Sequence, residues 1–398
     1  MTQPVMDLCE QVVCSTYARY PVVLERGRGC RLWDADGKEY LDFVAGIAVC
    51  NLGHCHPEVA DVICRQAQTL VHVSNLFYTR PQVELAAALQ RLSFADRVFF
   101  ANSGAEANEA AIKLARKYSR DKYGPGRFHV ITMEDSFHGR TLATLSATAQ
   151  EKVHKGFEPL VEGFHFVPYN DIDAVRRAMT HHVCAVLVEP IQGEGGVRLG
   201  DPDYFRELRA LCTERDVLLI FDEVQVGMGR TGTLFAYEQL GVSPDVMTLA
   251  KALGNGLPIG AMLATEAAAR AFTPGSHAST FGGTPLVTAA AAKVLELIAR
   301  DAFLASVRDK GQYFLEKLEG LRARHPDKVR DVRGRGLMVG MELAGPGKAV
   351  VDGCLEKGFL INCTHETVLR FVPPLIIEKD DIDRLVTALD AVLKEWAP

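Results

Sequence analysis

The segment from residue 102 to 108 joins an apolar run to a helix-like pattern and has the composition of an anion-binding turn. It reads Asn-Ser-Gly-Ala-Glu-Ala-Asn, and Ser103, Gly104 and Ala105 are small enough to let backbone N–H groups approach a phosphate. The positive end of a helix dipole would add to the attraction. The segment lacks the Gly-Lys-Thr of a nucleotide-binding loop. A helix start capped by Ser103 or Asn102, with no ligand, explains the same residues.

Two charged residues follow other apolar runs, at the position where an open α/β sheet binds its ligands. Asp222 comes directly after Leu-Leu-Ile-Phe, and Lys251 comes directly after Thr-Leu-Ala. A lysine among apolar residues loses its charge more readily than one in water, which would supply a neutral amine nucleophile. Taken alone, Asp222 could also be a carboxylate that caps a turn, and Lys251 could be a surface lysine.

A further segment, Ser-Phe-His-Gly-Arg-Thr at 136–141, offers an aromatic ring and a guanidinium group. Phe137 could stack on a planar cofactor, and Arg140 could bind a carboxylate through two hydrogen bonds. A turn with a core phenylalanine and a solvated arginine is the alternative. An anion-binding turn, an acid and an apolar-flanked lysine together favour pyridoxal phosphate (PLP) chemistry. That cofactor needs a phosphate site, an acid partner for its pyridine nitrogen and a lysine for a Schiff base.

The elements that must position these residues alternate between strands and helices. Short β-rich apolar runs predict buried strands at 97–101, 128–132, 185–188, 217–221 and 246–250. Between the first two, residues 106–118 repeat apolar side chains at steps of three and four, which predicts a helix with one buried face. This alternation predicts a mainly parallel α/β sheet.

Both flanks of this region have a different pattern. Short alternating segments within 20–45 predict a small antiparallel unit, and after residue 290 helical stretches enclose short strands near 337–343 and 369–372. We expect both chain ends to pack together as a smaller α+β domain beside the central sheet. The predicted boundaries give residues 1–60 and 289–398 to the small domain, and 61–288 to the large cofactor-binding domain.

Composition excludes several classes of function. The 398 residues include 44 Lys and Arg against 50 Asp and Glu, a net charge of −6 without long runs of like charge, so we expect neither nucleic-acid nor membrane partners. Ten scattered cysteines and the lack of a signal-peptide pattern or long apolar run predict a cytoplasmic protein with free thiols. No metal site is expected, because His54-Cys55-His56 lacks a distant partner pair and fits a turn before Pro57.

Across nearly the whole chain, six motifs resemble those of the class III aminotransferases of fold type I, in matching order and spacing. They are NSGAEANE (102–109), SFHGRT (136–141), EPIQGEGG (189–196), FDEVQ (221–225), LAKALGNG (249–256) and STFGG (279–283). The segments at 16–19, 43–49 and 51–54 are most similar to family members that act on N-acetylornithine. The resemblance implies an α/β fold whose large domain has a mainly parallel seven-stranded sheet, with a smaller α+β domain formed by both chain ends.

The resemblance also implies roles for the residues around the cofactor ring. Lys251 would bind PLP covalently and then shuttle a proton between the substrate and the cofactor. Asp222 would keep the pyridine nitrogen protonated, so that the ring withdraws electrons. Gln225 would bond the phenolic oxygen, and the intervening Glu223 and Val224 would complete this part of the site.

Phosphate binding is implied to involve two subunits. Residues 103–105 would hold the phosphate from one side while Phe137 stacks on the ring. In this family the Ser-Thr of the STFGG loop reaches the neighbouring subunit, which would place Thr280 on the phosphate and Ser279 near the substrate. A homodimer is therefore expected.

The substrate residues implied by the resemblance are two arginines and their neighbours. Arg140, with Tyr17 beside it, would bind one carboxylate, and Arg370 would bind the second carboxylate of 2-oxoglutarate or glutamate. Glu194 would mask Arg370 when the substrate carries an uncharged acyl arm, because a bare arginine there would be desolvated without a partner. The expected reaction moves the δ-amino group of N-acetylornithine to 2-oxoglutarate.

Other reactions remain alternatives at this stage. A decarboxylase, aminomutase or racemase would share the cofactor residues, although the two arginines with Glu194 favour transamination. Nearer alternatives are transaminases acting on ornithine, succinylornithine, succinyl-diaminopimelate or 4-aminobutyrate. A catalytically silent binding protein of the same fold is the alternative from another class.

Overall fold

The N-terminal part of the chain forms a small antiparallel sheet in the computed structural model, which describes residues 2–398. Its elements are α1 (Thr2–Val12), β1 (Leu24–Arg28), β2 (Arg31–Asp34), β3 (Glu39–Asp42) and the single turn α2 (Ala45–Ala48). Strand β2 pairs antiparallel with both β1 and β3. The antiparallel unit predicted within 20–45 is therefore confirmed.

Nine helices and two short 3-10 turns occupy the middle of the chain. The helices are α3 (Pro57–Thr69), α4 (Arg80–Arg91), α5 (Gly104–Tyr123), α6 (Leu142–Ala147), α7 (Glu151–His154), α8 (Ile172–Ala178), α9 (Pro202–Arg215), α10 (Glu266–Ala269) and α11 (Pro285–Ile298). The 3-10 turns are η1 (Ala236–Gln239) and η2 (Lys251–Leu253). On α5, the apolar residues Ala107, Ala111 and Leu114 are fully buried, as the helical periodicity predicts.

A seven-stranded sheet lies at the centre of these helices. Its strands are β4 (Arg97–Ala101), β5 (His129–Met133), β6 (Phe164–Val167), β7 (Val183–Val188), β10 (Leu218–Asp222), β11 (Val246–Leu249) and β12 (Gly260–Ala264). Their spatial order is β4-β12-β11-β10-β7-β5-β6, and only β12 runs antiparallel to its neighbours. The mainly parallel seven-stranded sheet is confirmed. A separate two-stranded ribbon joins β8 (Ile191–Gln192) to β9 (Arg198–Leu199).

The C-terminal part of the chain adds helices around a second antiparallel sheet. Its elements are α12 (Asp301–Arg324), β13 (Val329–Arg335), β14 (Met338–Leu343), α13 (Lys348–Glu356), β15 (Phe359–Leu360), β16 (Asn362–Thr364), β17 (Val368–Phe371) and α14 (Lys379–Glu395). Strand β15 pairs with β3, and Phe314 packs against both Phe43 and Phe371. Both chain ends thus share one α+β core, as expected.

The two predicted domain boundaries fall inside helices. The boundary after residue 60 lies in α3, and the boundary after residue 288 lies in α11. Buried side chains of both helices, including Val59 and Val294, belong to the same apolar cluster as strands β11 and β12 of the large sheet. We therefore propose that the two boundaries between the small and large domains lie just before α3 and just after α11, because each of these helices shares an apolar core with the large sheet.

Candidate active site

A cavity of about 440 Å³ opens at the carboxyl ends of the central strands. This volume lies within the range of small-ligand sites. The predicted site residues that line it are Ser103, Gly104, Ala105, Phe137, Arg140, Asp222, Val224, Gln225 and Lys251. They converge because β4, β10 and β11 run parallel and end at the same edge of the sheet.

The N-terminus of α5 forms a cup of small residues at one side of the cavity. Ser103 is the N-cap, and its hydroxyl accepts a hydrogen bond from the N–H of Glu106 at 3.1 Å. The preceding first-turn amides, including those of Gly104 and Ala105, have no acceptor inside the helix and can bind an anion. A Cβ on Gly260 would come within 2.2 Å of the Ser103 carbonyl oxygen, so glycine is required behind the cup.

The Asp222 carboxylate is held at the base of the cavity, with only 4% of the residue exposed. One oxygen accepts a hydrogen bond from Asn108 Nδ2 at 2.7 Å and lies 2.9 Å from His138 Nδ1. Its other oxygen accepts the N–H of Val224 at 3.0 Å. Thr248 in turn donates to Asn108 Oδ1 at 2.8 Å. The carboxylate is therefore fixed from several directions.

Two of these positioning residues have no predicted role. Asn108 and His138 both lie within motifs that the sequence singles out, NSGAEANE and SFHGRT. The signal that could have identified them was their place in those motifs, which follow strands β4 and β5 in the chain. Their partnership with Asp222 spans 114 and 84 residues of chain, which local pattern does not reveal.

Lys251 begins η2 immediately after β11 and faces the cavity. Burial lowers the pKa of its amine to about 8, although the nearby Glu194 carboxylate acts in the opposite direction. Its φ of 45° lies in the left-handed region, which is uncommon for a side-chain-bearing residue and is found where a site fixes the backbone. The result is an amine that is partly neutral near physiological pH.

Arg370, Glu194 and Gln225 form a connected group beside the lysine. Arg370 extends from β17 and is 1% exposed, and its Nη1 donates to Glu194 Oε1 and, at 3.0 Å, to Gln225 Oε1. Burial raises the pKa of Glu194, but the charge and hydrogen bond of Arg370, with smaller effects of Lys251 and Gln225, together outweigh burial and leave the pKa below its usual value. A Cβ on Gly193 would come within 2.2 Å of Gln225 Oε1, so a larger residue there would displace the Gln225 amide from its present position.

Phe137 and Arg140 lie at the more open side of the cavity. The Arg140 guanidinium is exposed and lies 5.6 Å from the centre of the Phe137 ring. The Phe137 N–H donates to Glu189 Oε2 at 3.1 Å, which fixes the backbone that carries the ring. Burial and the charge of Asp222 raise the pKa of Glu189 well above its usual value. Glu189 lines the cavity without having been assigned a role from sequence.

Six predicted site residues lie outside this cavity lining, and two of them, Glu194 and Arg370, contact the lining residue Gln225. The Glu223 carboxylate accepts the N–H groups of Ala236 at 2.6 Å and Tyr237 at 2.7 Å, and burial raises its pKa to about 8. Its side chain thus supports η1 instead of facing the cavity. The other three are Tyr17, Ser279 and Thr280.

Tyr17 is 73% exposed, with the Arg19 guanidinium 5.3 Å from its ring centre. The Ser279 hydroxyl accepts a hydrogen bond from Asn102 Nδ2 at 3.1 Å. Thr280 is exposed and lines a separate surface groove with Ser279. A single chain therefore does not bring these three residues together with Lys251.

The chain belongs to the class-III aminotransferase family, whose model matches residues 13–393. It is 54% identical over 387 residues to the acetylornithine aminotransferase of Caldanaerobacter subterraneus subsp. tengcongensis, covering 97% of this chain and 98% of that protein. The crystal structure of N-acetylornithine aminotransferase from Stenotrophomonas maltophilia K279a matches with TM-score 0.85 and 39% identity, covering 98% of each chain. The ornithine aminotransferase structure from Toxoplasma gondii ME49 matches with TM-score 0.95 and 34% identity, covering 99% and 95%.

Class-III aminotransferases use PLP as their cofactor. The residues of the cavity fit that group chemically. The cup at the start of α5 suits a phosphate, and Asp222 offers a buried carboxylate to a pyridine nitrogen. Lys251 offers an amine of lowered pKa to an aldehyde. The chain is therefore a PLP-dependent transaminase of fold type I.

Proposed function

We propose that this transaminase moves the δ-amino group of N-acetylornithine to 2-oxoglutarate, giving N-acetylglutamate 5-semialdehyde and glutamate in arginine biosynthesis. The observation that carries the proposal is the buried Arg370, which is paired with Glu194 and donates to Gln225 of the cavity lining. The similarity to relatives named acetylornithine aminotransferase supports the choice of substrate. Ten free cysteines accord with a reducing compartment such as the cytoplasm.

In this proposal PLP, when bound, withdraws electrons from the carbon that carries the reacting amine. Lys251 supplies the amine that holds the cofactor and then carries a proton between that substrate carbon and the cofactor C4′. Asp222 keeps the pyridine nitrogen protonated, with Asn108 and His138 fixing the carboxylate. Gln225 bonds the phenolic oxygen of the ring.

Two arginines select the substrates in this proposal. Arg140 binds the carboxylate remote from the reacting amine, which is the α-carboxylate of N-acetylornithine and the γ-carboxylate of glutamate, with Tyr17 nearby in the assembled enzyme. Arg370 binds the second carboxylate of 2-oxoglutarate after Glu194 turns away. With N-acetylornithine, Glu194 stays in place, because an unpaired Arg370 beside an uncharged arm would bear the full cost of desolvation.

A spectral titration tests the choice of substrate. We expect N-acetylornithine and glutamate to discharge the visible absorption band of the bound cofactor at concentrations at least about tenfold below those needed for ornithine or 4-aminobutyrate. The same titration with succinylornithine and succinyl-diaminopimelate measures how strictly the enzyme selects the acetyl group over other acyl groups. If ornithine discharged the band at lower concentrations than N-acetylornithine, the proposed substrate would be wrong and ornithine would replace it. The ornithine aminotransferase structure from Toxoplasma gondii also matches this chain closely. Protein that binds no cofactor would indicate a silent scaffold.

Changing Glu194 to Gln is expected to weaken the discrimination between the two substrates. The neutral side chain keeps its shape but no longer neutralises Arg370, so kcat/KM should fall for N-acetylornithine and rise or hold for glutamate. We expect the ratio of the two values to change by about tenfold or more. Steady-state kinetics with both substrates measure the ratio.

The matched control for Glu194 is an exposed Glu–Arg pair on α12. Glu319 lies 3.4 Å from Arg322, and both side chains are about half exposed. Glu319→Gln should leave both substrates unaffected, because exposed pairs contribute little. Unchanged kinetics for Glu194→Gln as well would contradict the masking role.

We further propose that the enzyme is a homodimer in which Ser279 and Thr280 complete the neighbouring site. Next to Thr280, Phe281 is 61% exposed, and the segment Leu76-Phe77-Tyr78 is more exposed still, with Tyr78 fully open. Large apolar side chains exposed together are typical of an interface between subunits. Leu76 belongs both to this patch and to the lining of the Ser279–Thr280 groove.

Mixing two inactive variants tests this arrangement. If Thr280 acts across the interface, a heterodimer of Lys251→Ala and Thr280→Ala contains one site with neither substitution. Random reassembly of equal amounts should then restore up to about a quarter of wild-type activity. Mixing Lys251→Ala with itself is the control for the reassembly procedure. No gain over the separate variants, in a sample shown to contain heterodimers, would contradict the shared site.

A further inference from the structure

The short strand β16 lies beside the Arg370–Glu194 pair, and the reaction proposed above does not use it. It pairs antiparallel with β17, and Asn362 lies directly opposite Arg370 in that register. The residues of a strand alternate between its two faces, so Asn362 and Thr364 share one face and Cys363 lies on the other. The two side chains that share a face contact different halves of the Arg370–Glu194 pair.

The Asn362 amide lies on one edge of the Arg370 guanidinium. In the amide orientation that satisfies both neighbouring groups, its oxygen accepts a hydrogen bond from Arg370 Nη2 at 2.7 Å, and its NH₂ group donates to the Arg370 carbonyl oxygen at 3.2 Å. On the opposite edge, Arg370 Nη1 donates to Glu194 and Gln225. Arginine presents its N–H donors in a rigid planar fork, so acceptors on both edges fix the plane and direction of the group.

The backbone of Glu194 is held from the same strand. The Thr364 hydroxyl donates to the Glu194 carbonyl oxygen at 2.6 Å, and Thr364 is 7% exposed. Two residues beyond Glu194, the Arg333 guanidinium donates to the Gly196 carbonyl oxygen at 2.7 Å. Because the main chain is fixed at these two points, we expect Glu194 to leave Arg370 by rotation of its side chain and not by movement of the whole loop.

Once Glu194 turns away, Arg370 has lost a charged partner while it remains buried, and Asn362 still accepts from its Nη2 edge. A buried guanidinium without acceptors is costly and would turn away from the direction that a carboxylate needs. We propose that Asn362 is a positioning residue that holds Arg370 in place for a dicarboxylic substrate and thereby sets the selectivity for dicarboxylates. The inference rests on the proposed function, in which one site accepts two kinds of substrate.

The neutral amide of Asn362 suits this role better than a carboxylate would. An amide oxygen orients the guanidinium without cancelling its charge, so Arg370 still attracts an incoming carboxylate. A carboxylate in the place of Asn362 would neutralise Arg370 with every substrate. The masking that Glu194 provides reversibly would then become permanent.

Replacing Asn362 by Leu removes both hydrogen bonds and nearly preserves the shape of the side chain. N-acetylornithine brings no carboxylate to Arg370, and Glu194 still pairs with the arginine, so its KM should stay within about threefold of wild type. KM for glutamate and 2-oxoglutarate should rise by about tenfold or more at nearly unchanged kcat, because only these substrates need the oriented arginine. Equal changes in KM for both kinds of substrate, or no change for either, would overturn the proposal.

Binding of glutarate to the holoenzyme, measured by calorimetry, gives a readout that needs no turnover. Glutarate has the carbon chain and both carboxylates of 2-oxoglutarate but no amino or oxo group to react. We expect Asn362→Leu to weaken glutarate binding by about tenfold or more. An unchanged affinity in this variant would contradict the role of Asn362. The measurement does not involve N-acetylornithine, so it stands even if the proposed amine substrate is wrong.

The matched control is Cys363→Ser, which changes the opposite face of the same strand. The Cys363 sulfur donates to the Glu366 carbonyl oxygen at 3.1 Å, and a serine hydroxyl can make the same contact. Glutarate affinity in this variant should stay within about twofold of wild type. A loss equal to that of Asn362→Leu would mean that any disturbance of β16 weakens binding, and the specific role of Asn362 would be wrong.

A charged variant keeps the proposal testable if Asn362→Leu does not fold. Asn362→Asp should weaken glutarate binding by about tenfold or more, because the new carboxylate neutralises Arg370 and repels the ligand. In the Glu194→Gln background, Asn362→Asp should restore kcat/KM for N-acetylornithine to within about threefold of wild type, because Arg370 regains a charged partner. A merely structural role predicts additive losses in the double variant, and that result would overturn the proposal.

Discussion

Replacing Lys251 by Ala is expected to reduce transaminase turnover by at least about 1,000-fold, because one amine both holds the cofactor and moves the proton. This expectation depends on the position of the Lys251 amine in the fold. It follows β11 directly, lines the cavity with Asp222, and has a pKa lowered to about 8 by burial. Turnover and the visible absorption band of the protein, measured together, check both roles.

The matched control for this variant is Lys251→Arg. Arginine keeps a positive charge of similar reach, but it cannot become a neutral amine, so it should be as inactive as alanine. Retention of more than about a tenth of wild-type turnover by Lys251→Arg would contradict proton transfer by the amine.

The lowered pKa of Lys251 also predicts how cofactor capture depends on pH. Only the neutral amine attacks an aldehyde, and its fraction rises about tenfold per unit of pH below the pKa and then levels off. Loading of cofactor into stripped protein should therefore accelerate up to about pH 8 and change little above it. If the rate of cofactor loading kept rising up to the ordinary pKa of lysine, burial would not be lowering the pKa of the Lys251 amine.

The sequence predicts the scaffold of the site well, because its determinants are local. Short apolar runs identify β4, β10 and β11, and the residues directly after them are the ones that reach the cavity. The runs did not reveal β12, whose Gly-Ala-Met-Leu-Ala sequence is poor in β-branched residues. Its place between β4 and β11 depends on pairing partners far along the chain.

Side-chain direction is harder to predict than position along a strand. Asp222 and Glu223 are adjacent carboxylates at the end of one strand, and sequence reasoning placed both at the cofactor. In the folded chain only Asp222 lines the cavity, while Glu223 caps the backbone of η1. The difference arises because neighbouring side chains at a strand end point to opposite faces. Which face carries the cavity depends on packing from distant segments.

The predicted site residues that lie outside the cavity lining show a related limit of sequence-based prediction. The motif resemblance suggested Tyr17, Ser279 and Thr280, yet a single chain leaves them away from Lys251. In the homodimer proposed above, their contribution would depend on the assembly, and an interface between subunits is a property of surface shape that no local spacing encodes. The Arg370–Glu194 pair is the opposite case. Its partners are 176 residues apart, yet the motif resemblance predicts their contact.

Replacing Asp222 by Asn is expected to reduce kcat by about 100- to 10,000-fold with little change in substrate KM. The amide has almost the same shape but carries no negative charge to hold a proton on the pyridine nitrogen. Its NH₂ group must face either Asn108 and His138, which share one carboxylate oxygen, or the N–H of Val224 at the other oxygen, so at least one of these hydrogen bonds is lost. Steady-state kinetics and the affinity for added cofactor measure the two effects separately.

Glu223→Gln is the matched control, since it makes the same chemical change one residue further along the chain. Its carboxylate faces the amides of Ala236 and Tyr237 and not the cavity, so the variant should change thermal stability while kcat stays within about threefold. Equal losses of kcat in both variants would mean that the two carboxylates act through folding of this segment. A large loss confined to Asp222→Asn would place its charge in the reaction itself, because burial, chain position and substitution are matched.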